Sequence, residues 1–229
     1  MVIKIGLAMI QGARFEHEDC LKYAAMELGL DIEVIYLNTA MDLLGSKLDA
    51  LVLPGGESTT MRKVSDKNGL FPAIYDYLEE KPSIPVLATC AGAILLVDPG
   101  PRRKPFLDAS IDRNYYGSQK ESFQANLRIE NIIIPSSVNN ENFNPLHLGN
   151  NEKSLPVEFD KNKLESTFFP GIFIRAPRFN QISSAVERVV FHGDEVVGIL
   201  QNSKLALTFH PELSTDFSFH RWLLSQVSK

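Results

Sequence analysis

Residues 84–96 read IPVLATCAGAILL, in which a single cysteine, Cys90, separates two apolar runs. The first run has the length and composition of a short buried strand, and the second is apolar enough to begin a buried helix. A cysteine at a sharp strand-to-helix turn has the setting of a nucleophile elbow. The small residues Ala88, Ala91 and Gly92 leave room for that turn and for a substrate carbonyl. This stretch therefore predicts an α/β fold with a nucleophile at the end of a strand.

The alternation of strand and helix continues on both sides of this turn. Strands are predicted at residues 2–10, 32–37, 48–53 and 84–88, and helices at residues 15–28 and 70–80. Later strands are predicted at residues 127–134, 171–175, 186–192, 195–201 and 205–209, with a closing helix at 215–227. Apolar strands separated by helices favour a sheet that is covered on both faces. We predict a three-layer α/β/α fold with a mixed, mostly parallel sheet that is partly antiparallel in its second half.

The composition is typical of one soluble globular domain. Of the 229 residues, 44% are hydrophobic and 22% are charged, and the formal net charge is −5. Neither this charge nor any basic stretch suits a nucleic-acid backbone, and no apolar run is long enough to span a membrane. With only two cysteines and no signal peptide, we expect a cytoplasmic protein. We predict one domain over residues 1–229, with the polar, aperiodic residues 135–165 as a surface insertion.

Thiolate chemistry on an amide needs a base, and one histidine stands at a strand end beside a carboxylate. This is His210 of HPE, residues 210–212, directly after the strand predicted at 205–209. In an extended segment, residues two apart point to the same side, so Glu212 can orient the His210 ring. Taken alone, Cys90 is more often a small buried side chain, and a lone HPE sequence is more often not catalytic.

No catalytic role is predicted for the other cysteine or the other histidines. Cys20 lies in a helical pattern beside carboxylates that would raise its pKa, so it is predicted to be structural. His17 is predicted to lie on the solvated face of the same helix. His147 falls in the polar insertion, His192 precedes a turn, and His220 belongs to the last helix. No cluster of His, Cys or carboxylate residues has metal-ligand spacing, so no metal is predicted.

A glycine turn follows the third predicted strand. It is PGGESTT, residues 54–60, and it could expose backbone N–H groups to an oxyanion because glycine adds no Cβ. The sequence matches neither the phosphate-binding nor the dinucleotide-binding fingerprint. The alternative is a tight turn without a chemical role.

Three motifs in this order resemble the class I, triad-type glutamine amidotransferases: GGES at residues 55–58, TCAG at 89–92 and HPE at 210–212. Further motifs narrow the resemblance to the glutaminase subunits of pyridoxal 5-phosphate synthase. These are QG at 11–12, GGESTTMR at 55–62, RNYYGSQ at 113–119 and IRAP at 174–177. The likeness runs from the first predicted strand to the last predicted helix.

The resemblance implies a flavodoxin-like α/β/α core and the hydrolysis of glutamine to glutamate and ammonia without a cofactor. It makes Cys90 the nucleophile, His210 the general base and then acid, and Glu212 the residue that orients His210. It places the backbone N–H groups of Gly56 and Ala91 in the oxyanion hole. The residues that it assigns to glutamine binding are Gly55, Gly56, Glu57, Arg113, Ile174 and Arg175.

The implied partner is a synthase subunit, held in a hetero-oligomer, that would receive the ammonia for vitamin B6 synthesis. Two features depart from the family pattern. Ala88 stands where glycine is frequent, and residues 135–165 are longer than the compact members require. Two alternatives stay open: the chain could serve a different synthase, or it could be a non-catalytic scaffold that stabilises the synthase.

Overall fold

The computed structural model describes residues 2–113, 122–136 and 168–227, whose strands form one large mixed sheet and one small sheet. The strands are β1 (Val2–Ala8), β2 (Asp31–Leu37), β3 (Ala50–Leu53), β4 (Val86–Thr89), β5 (Ala109–Asp112), β6 (Ser122–Ile129), β7 (Phe168–Ile174), β8 (Arg178–Ile182), β9 (Glu187–His192), β10 (Glu195–Gln201) and β11 (Lys204–Leu207). The helices are α1 (Arg14–Leu28), α2 (Ala40–Leu43), α3 (Ser58–Asn68), α4 (Leu70–Glu80), α5 (Ala91–Val97) and α6 (Ser218–Val227). A 3₁₀ turn, Pro211–Leu213, follows the last strand.

Nine of the described strands form the main sheet, in the order β2-β1-β3-β4-β11-β10-β9-β6-β7. The strands from β2 to β11 in this order are parallel, and β4 lies between β3 and β11. The sheet then continues through antiparallel pairs, and β5 pairs with β8 separately. The mixed sheet and its antiparallel second half are therefore confirmed. The carboxyl ends of β1, β3, β4 and β11 meet at one edge, where parallel sheets place their functional loops.

Two hydrophobic clusters lie on opposite faces of the main sheet. In β4, Leu87 belongs to the cluster covered by α1 and α6, and Ala88 belongs to the cluster covered by α3, α4 and α5. In β3, Val52 and Leu53 are divided between the clusters in the same way. All four side chains are fully buried. Because both faces of these strands are covered, their sequences are continuously apolar, and the predicted three-layer α/β/α fold is confirmed.

The ends of the helices follow local capping chemistry. Helix α1 begins one residue before its predicted start and ends as predicted at Gly29, whose φ of 66° is left-handed. The Gly29 backbone N–H donates to carbonyls of the last helical turn, as in a common helix C-cap. Helix α6 begins at Ser218 rather than residue 215, because the Asp216 carboxylate accepts the Ser218 backbone N–H at 2.8 Å.

Several local predictions are wrong or incomplete. Helix α3 begins inside the segment that was predicted to be a turn, because the Glu57 carboxylate accepts the backbone N–H groups of Thr59 and Thr60 at 2.9 and 2.6 Å. Strand β6 spans Ser122–Ile129 rather than residues 127–134. The short elements α2, β5 and β8 are not among the predicted ones.

The predicted surface insertion lies almost entirely outside the described residues, which resume at residue 168. The segment that leads into it is held to α6, because the Arg221 Nε group donates to the Pro135 carbonyl at 3.0 Å. Within the described ranges, no helix combines the length and the apolar character that crossing a bilayer requires.

Candidate active site

Cys90 lies at the turn between β4 and α5, as its flanking sequence predicts. Its backbone has φ 47° and ψ −107°, a conformation that non-glycine residues rarely adopt. The Cys90 backbone N–H donates to the Leu207 carbonyl of β11 at 2.8 Å, which fixes the turn. Glycine is required at residue 92, because a Cβ on Gly92 would lie 2.0 Å from the Leu53 carbonyl oxygen. Backbone strain that the surroundings hold in place is frequent at active sites.

Ala88, which departs from the family pattern, is accommodated in the core. It is fully buried and pairs in register with Leu53 of β3 and Ala206 of β11. Its methyl group belongs to the cluster covered by α3, α4 and α5, and it does not line the cavity beside Cys90. The additional methyl group therefore fills core space rather than substrate space.

His210 and Glu212 are in direct contact. The His210 Nδ1 atom lies 2.8 Å from Glu212 Oε1, and both side chains are buried. The contact agrees with the prediction, but the predicted extended backbone is wrong because Glu212 belongs to the 3₁₀ turn. The His210 backbone N–H donates to the Ile172 carbonyl of β7 at 2.8 Å, which anchors the start of this turn.

Gly12 and Gly55 allow the loops after β1 and β3 to pack closely against the ends of β4 and β11. A Cβ on Gly55 would lie 2.5 Å from His210 Cε1 and 3.2 Å from Cys90 Cβ. A Cβ on Gly12 would in turn lie 2.1 Å from the Gly55 carbonyl oxygen. The loop after β3 therefore packs against both Cys90 and His210, and the loop after β1 packs behind it. A larger residue at position 55 would push the Cys90 side chain and the His210 imidazole apart.

The charges of the site are coupled. Burial alone would lower the pKa of His210, but the Glu212 carboxylate and the hydrogen-bonded Cys90 side chain raise it well above its ordinary value. Burial would raise the pKa of Glu212, but the positive charges that His17 and His210 carry when they are protonated outweigh it and lower that pKa to about 2. These directions favour an imidazolium at His210 that is flanked by a carboxylate.

A cavity of about 430 Å³ opens beside Cys90 and His210. Most of the residues that were assigned to glutamine line it, namely Gly56, Glu57, Arg113, Ile174 and Arg175. Gly55 lies instead against the His210 ring, and Ala91 is buried as the first residue of α5. Ser58, Thr59 and Ile94, which lie in quoted motifs but were given no role, also line it. Ala13 and Leu213 line it as well and belong to no quoted motif. The described residues contain no group of three or more His, Cys, Asp or Glu side chains placed for a metal ion.

The two arginines of the cavity differ in their surroundings. The Arg113 guanidinium forms an ion pair with Asp98, which also lies 3.5 Å from an Arg62 guanidinium nitrogen. Arg175 follows β7 with a φ of 46°, so the chain turns sharply at the cavity wall. Residues 114–119 of the motif that begins at Arg113 lie outside the described residues.

The prediction that His17 lies on a solvated helix face is wrong. His17 is fully buried, its Nδ1 atom lies 3.0 Å from His220 Nε2, and its Nε2 atom lies 3.1 Å from Thr89 Oγ1. The same Nε2 atom lies 3.3 Å from Glu212 Oε2. Helices α1 and α6, which pack together, therefore bring two further imidazoles to the back of the Cys90, His210 and Glu212 group.

A signal for this burial is present in the sequence. His17, Cys20, Leu21, Ala24 and Ala25 are the buried residues of α1, and their spacing is that of one helix face. The acidic neighbours of His17 masked this pattern. Cys20 on the same face is structural as predicted, since burial first and Glu212 next raise the pKa of its thiol well above the ordinary value.

Comparison with known proteins decides the family. The model of the SNO glutamine amidotransferase family matches residues 7–148 and 147–229. The chain belongs to this family. The resemblance that was inferred from GGES, TCAG and HPE is thereby confirmed, and these three motifs meet at the one cavity described above.

Two relatives share the full length of this SNO family member. A pyridoxal 5'-phosphate synthase subunit PdxT from Thermococcus onnurineus is 34% identical over 99% of this chain and 100% of that protein. A protein of the same name from Oenococcus oeni is 35% identical over 98% of this chain and 96% of that protein. A crystal structure of a glutamine amidotransferase superposes with a TM-score of 0.70 at 31% identity, covering 98% of this chain and 99% of that one. The class I amidotransferase fold is therefore confirmed.

Proposed function

We propose that this chain is the glutaminase subunit of a pyridoxal 5'-phosphate synthase and that Cys90, His210 and Glu212 form its catalytic triad. The observation that supports the triad most directly is the position of His210. Its Nδ1 atom lies 2.8 Å from the Glu212 carboxylate, and its ring packs with Cys90 against the Gly55 turn at the cavity. The relatives named as PdxT support the assignment to this synthase.

The reaction begins from the charge arrangement of the buried triad. The Cys90 thiolate attacks the carboxamide carbon of glutamine, and the carbonyl π electrons move onto oxygen to form a tetrahedral oxyanion. The His210 imidazolium gives its proton to the amide nitrogen, the carbon–nitrogen bond breaks, and ammonia leaves. A glutamyl thioester remains on Cys90. Water, deprotonated by the now neutral His210, attacks this thioester, and glutamate and the thiolate are released.

The oxyanion needs fixed donors next to Cys90. The backbone N–H groups of Gly56 and Ala91 are the proposed donors. Gly56 lines the cavity with a φ of 145°, which suits glycine, and Ala91 directly follows the nucleophile. Two donors from different loops would place the carbonyl carbon of glutamine between the β3 and β4 strand ends.

The remaining wall of the cavity is the proposed binding surface for the α-amino and α-carboxylate groups of glutamine. Arg113 and Arg175 supply guanidinium groups for a carboxylate, and Ile174 supplies an apolar wall. The Glu57 carboxylate caps helix α3 and its pKa is lowered to about 2, chiefly by the Thr60 hydroxyl. The Glu57 backbone N–H donates to Gln11 Oε1 at 3.1 Å, so we propose that Glu57 shapes the wall of the glutamine site together with Gln11.

The chemistry of ammonia supports the proposal that this chain works with a partner. Ammonia that escapes into bulk water is protonated and is then no longer a nucleophile. A synthase subunit docked over the cavity in a hetero-oligomer would receive it in the neutral form. We further propose that residues 1–229 act as one glutaminase domain in the cytoplasm, with residues 135–165 as a surface insertion.

Glutamate release from glutamine tests this function. We expect turnover by the purified chain mixed with its synthase subunit and no turnover by Cys90→Ala in the same mixture. Cys20→Ala is the matched control, because it removes the other buried thiol and is expected to leave the rate within about twofold of wild type. Turnover that survives in Cys90→Ala would exclude the triad. Absence of turnover in a complex that demonstrably forms would support a scaffold instead.

A further inference from the structure

The second oxygen of the Glu212 carboxylate has its own environment. Oε1 lies in hydrogen-bond contact with His210 Nδ1. Oε2 is fully buried and forms no hydrogen bond with any described residue. The group that faces it is His17 Nε2, at 3.3 Å. A buried carboxylate held through only one oxygen can rotate about its Cγ–Cδ bond, which would turn Oε1 away from His210. The contact with His17 opposes that rotation.

The contacts of His17 and His220 indicate which ring nitrogen of each carries the hydrogen. If His17 carried its proton on Nδ1, its bare Nε2 lone pair would face the Glu212 carboxylate. His220 would then hold an N–H on its Nδ1 atom, which has no partner in the part of the chain that the structure describes. If His220 instead donates from Nε2 to His17 Nδ1, His17 has its N–H on Nε2, directed at Glu212 and Thr89. In this arrangement His220 Nδ1 carries a lone pair that has no partner among the described residues. An unpaired buried lone pair costs less free energy than an unpaired buried N–H, or than a lone pair that faces a carboxylate.

We infer that His17 is a positioning residue for the glutaminase reaction: its Nε2–H contacts Thr89 Oγ1 at 3.1 Å and faces Oε2 of Glu212 at 3.3 Å, so its dipole steadies the carboxylate, and His220 fixes the tautomer of His17. The inference rests on the proposed function for its catalytic meaning. The proposed chain of contacts leads away from the cavity, from Glu212 to His17 on α1 and from His17 to His220 on α6. His17 does not line the cavity, so it would act through its neighbours Glu212 and Thr89.

The charge of His17 agrees with such a role. Burial lowers the pKa of His17, although Glu212 acts in the opposite direction, and burial together with His17 lowers that of His220 well below its ordinary value. Near neutral pH both imidazoles are therefore uncharged, while His210 is an imidazolium. His17 then supplies an oriented N–H dipole to Glu212 and does not compete with His210 as a second cation.

The same N–H also reaches the residue before the nucleophile. Thr89 ends β4, its hydroxyl lies 3.1 Å from His17 Nε2, and it is fully buried. His17 therefore contacts both segments that carry the triad, one at the Cys90 turn and one at the Glu212 turn. A movement of α1 would change the distance between these segments.

A pair of substitutions separates positioning from packing. His17→Leu removes the N–H, whereas His17→Gln keeps an amide N–H near the position of Nε2. We expect kcat for glutamate release to fall about 10- to 100-fold in His17→Leu, with KM within about twofold, and to recover most of this loss in His17→Gln. Cys20→Ala on the same buried helix face, whose thiol lies 3.5 Å from the Glu212 carbonyl, is the packing control and should remain near wild type.

Alkylation of Cys90 by iodoacetamide gives a second readout that needs no glutamine. Its rate at neutral pH depends on the thiolate–imidazolium pair, so it should fall in His17→Leu and return in His17→Gln. If His17→Leu does not fold, His17→Asn replaces it, because its shorter amide reaches only the position of Nδ1. Equal rates in wild type and His17→Leu, or equal losses in the Gln and Leu or Asn variants, would overturn the inference. Normal His17-dependent alkylation without any glutamate release would refute the proposed function alone.

Discussion

At the scale of single residues, the site is organised around one buried carboxylate. Glu212 contacts His210 through one oxygen and faces His17 through the other, and His220 contacts it only by way of His17. A carboxylate taken out of water needs such partners to remain charged. Its pKa is nevertheless lowered to about 2, so these partners more than offset the cost of burial.

This shift predicts how acid acts on the folded protein. Because the pKa of Glu212 falls from 4.5 to about 2 on folding, the native state holds fewer protons at this residue than the unfolded state. Its contribution to the free energy of unfolding is fully present above about pH 4.5 and is lost as the pH falls toward about 2. We expect wild type to lose stability more steeply over this range than Glu212→Gln, measured by urea unfolding at each pH.

Glu212 also acts to raise the pKa values of His17, His210 and His220, so the Glu212→Gln profile contains their response as well as the loss of this carboxylate. A surface carboxylate provides the control. Asp31→Asn, at an exposed position on the edge strand β2, should leave the pH dependence of wild type unchanged. Parallel pH profiles for wild type and Glu212→Gln would show that the Glu212 carboxylate is not held in its charged form.

At the scale of secondary-structure elements, the strand–turn–helix unit at Cys90 depends on close approach to β3. Gly92 lies against the Leu53 carbonyl, and a Cβ would meet that oxygen at 2.0 Å. We expect Gly92→Ala to lower the free energy of unfolding by about 3 kcal/mol or more, because backbone on both sides must move. Urea unfolding of the purified variant measures this loss.

Gly29→Ala is the matched control for this substitution. Gly29 has a positive φ of 66°, which Gly92 does not have, but a Cβ at Gly29 meets nothing within 4 Å. Its replacement should cost only about 1 kcal/mol of left-handed backbone strain. If Gly92→Ala were no more destabilising than Gly29→Ala, the packing of α5 on β3 would be looser than described.

The elements differ in how far their sequences predict them. Strands β3 and β4 are predictable because both faces are buried, which makes their sequences almost entirely apolar. Strand β1 shows the same signal except at the exposed Val2 and at Lys4. Helix α3 was missed because its buried face is small and its start depends on a side-chain cap from Glu57. Strand β6 was misplaced because its residues are mostly half-buried or exposed, so its start lacks an apolar signal.

At the scale of the whole molecule, the two helical layers contact different parts of the candidate active site. The layer of α3, α4 and α5 supports the Cys90 turn, and the layer of α1 and α6 supports Glu212 through His17 and His220. The proposed triad could be selected from the sequence because each member lies in a short motif at a strand end. His17 was not predicted, since its role arises only when residues 203 positions apart come together.

The central claim is that Cys90 forms a covalent intermediate with glutamine. Acid quenching of the complete synthase complex during turnover, followed by peptide mass spectrometry, tests it most directly. We predict a glutamyl adduct on the peptide that contains Cys90, none on the peptide that contains Cys20, and none at either position in Cys90→Ala. Glutamate release without an adduct on Cys90, undiminished in Cys90→Ala, would contradict the account.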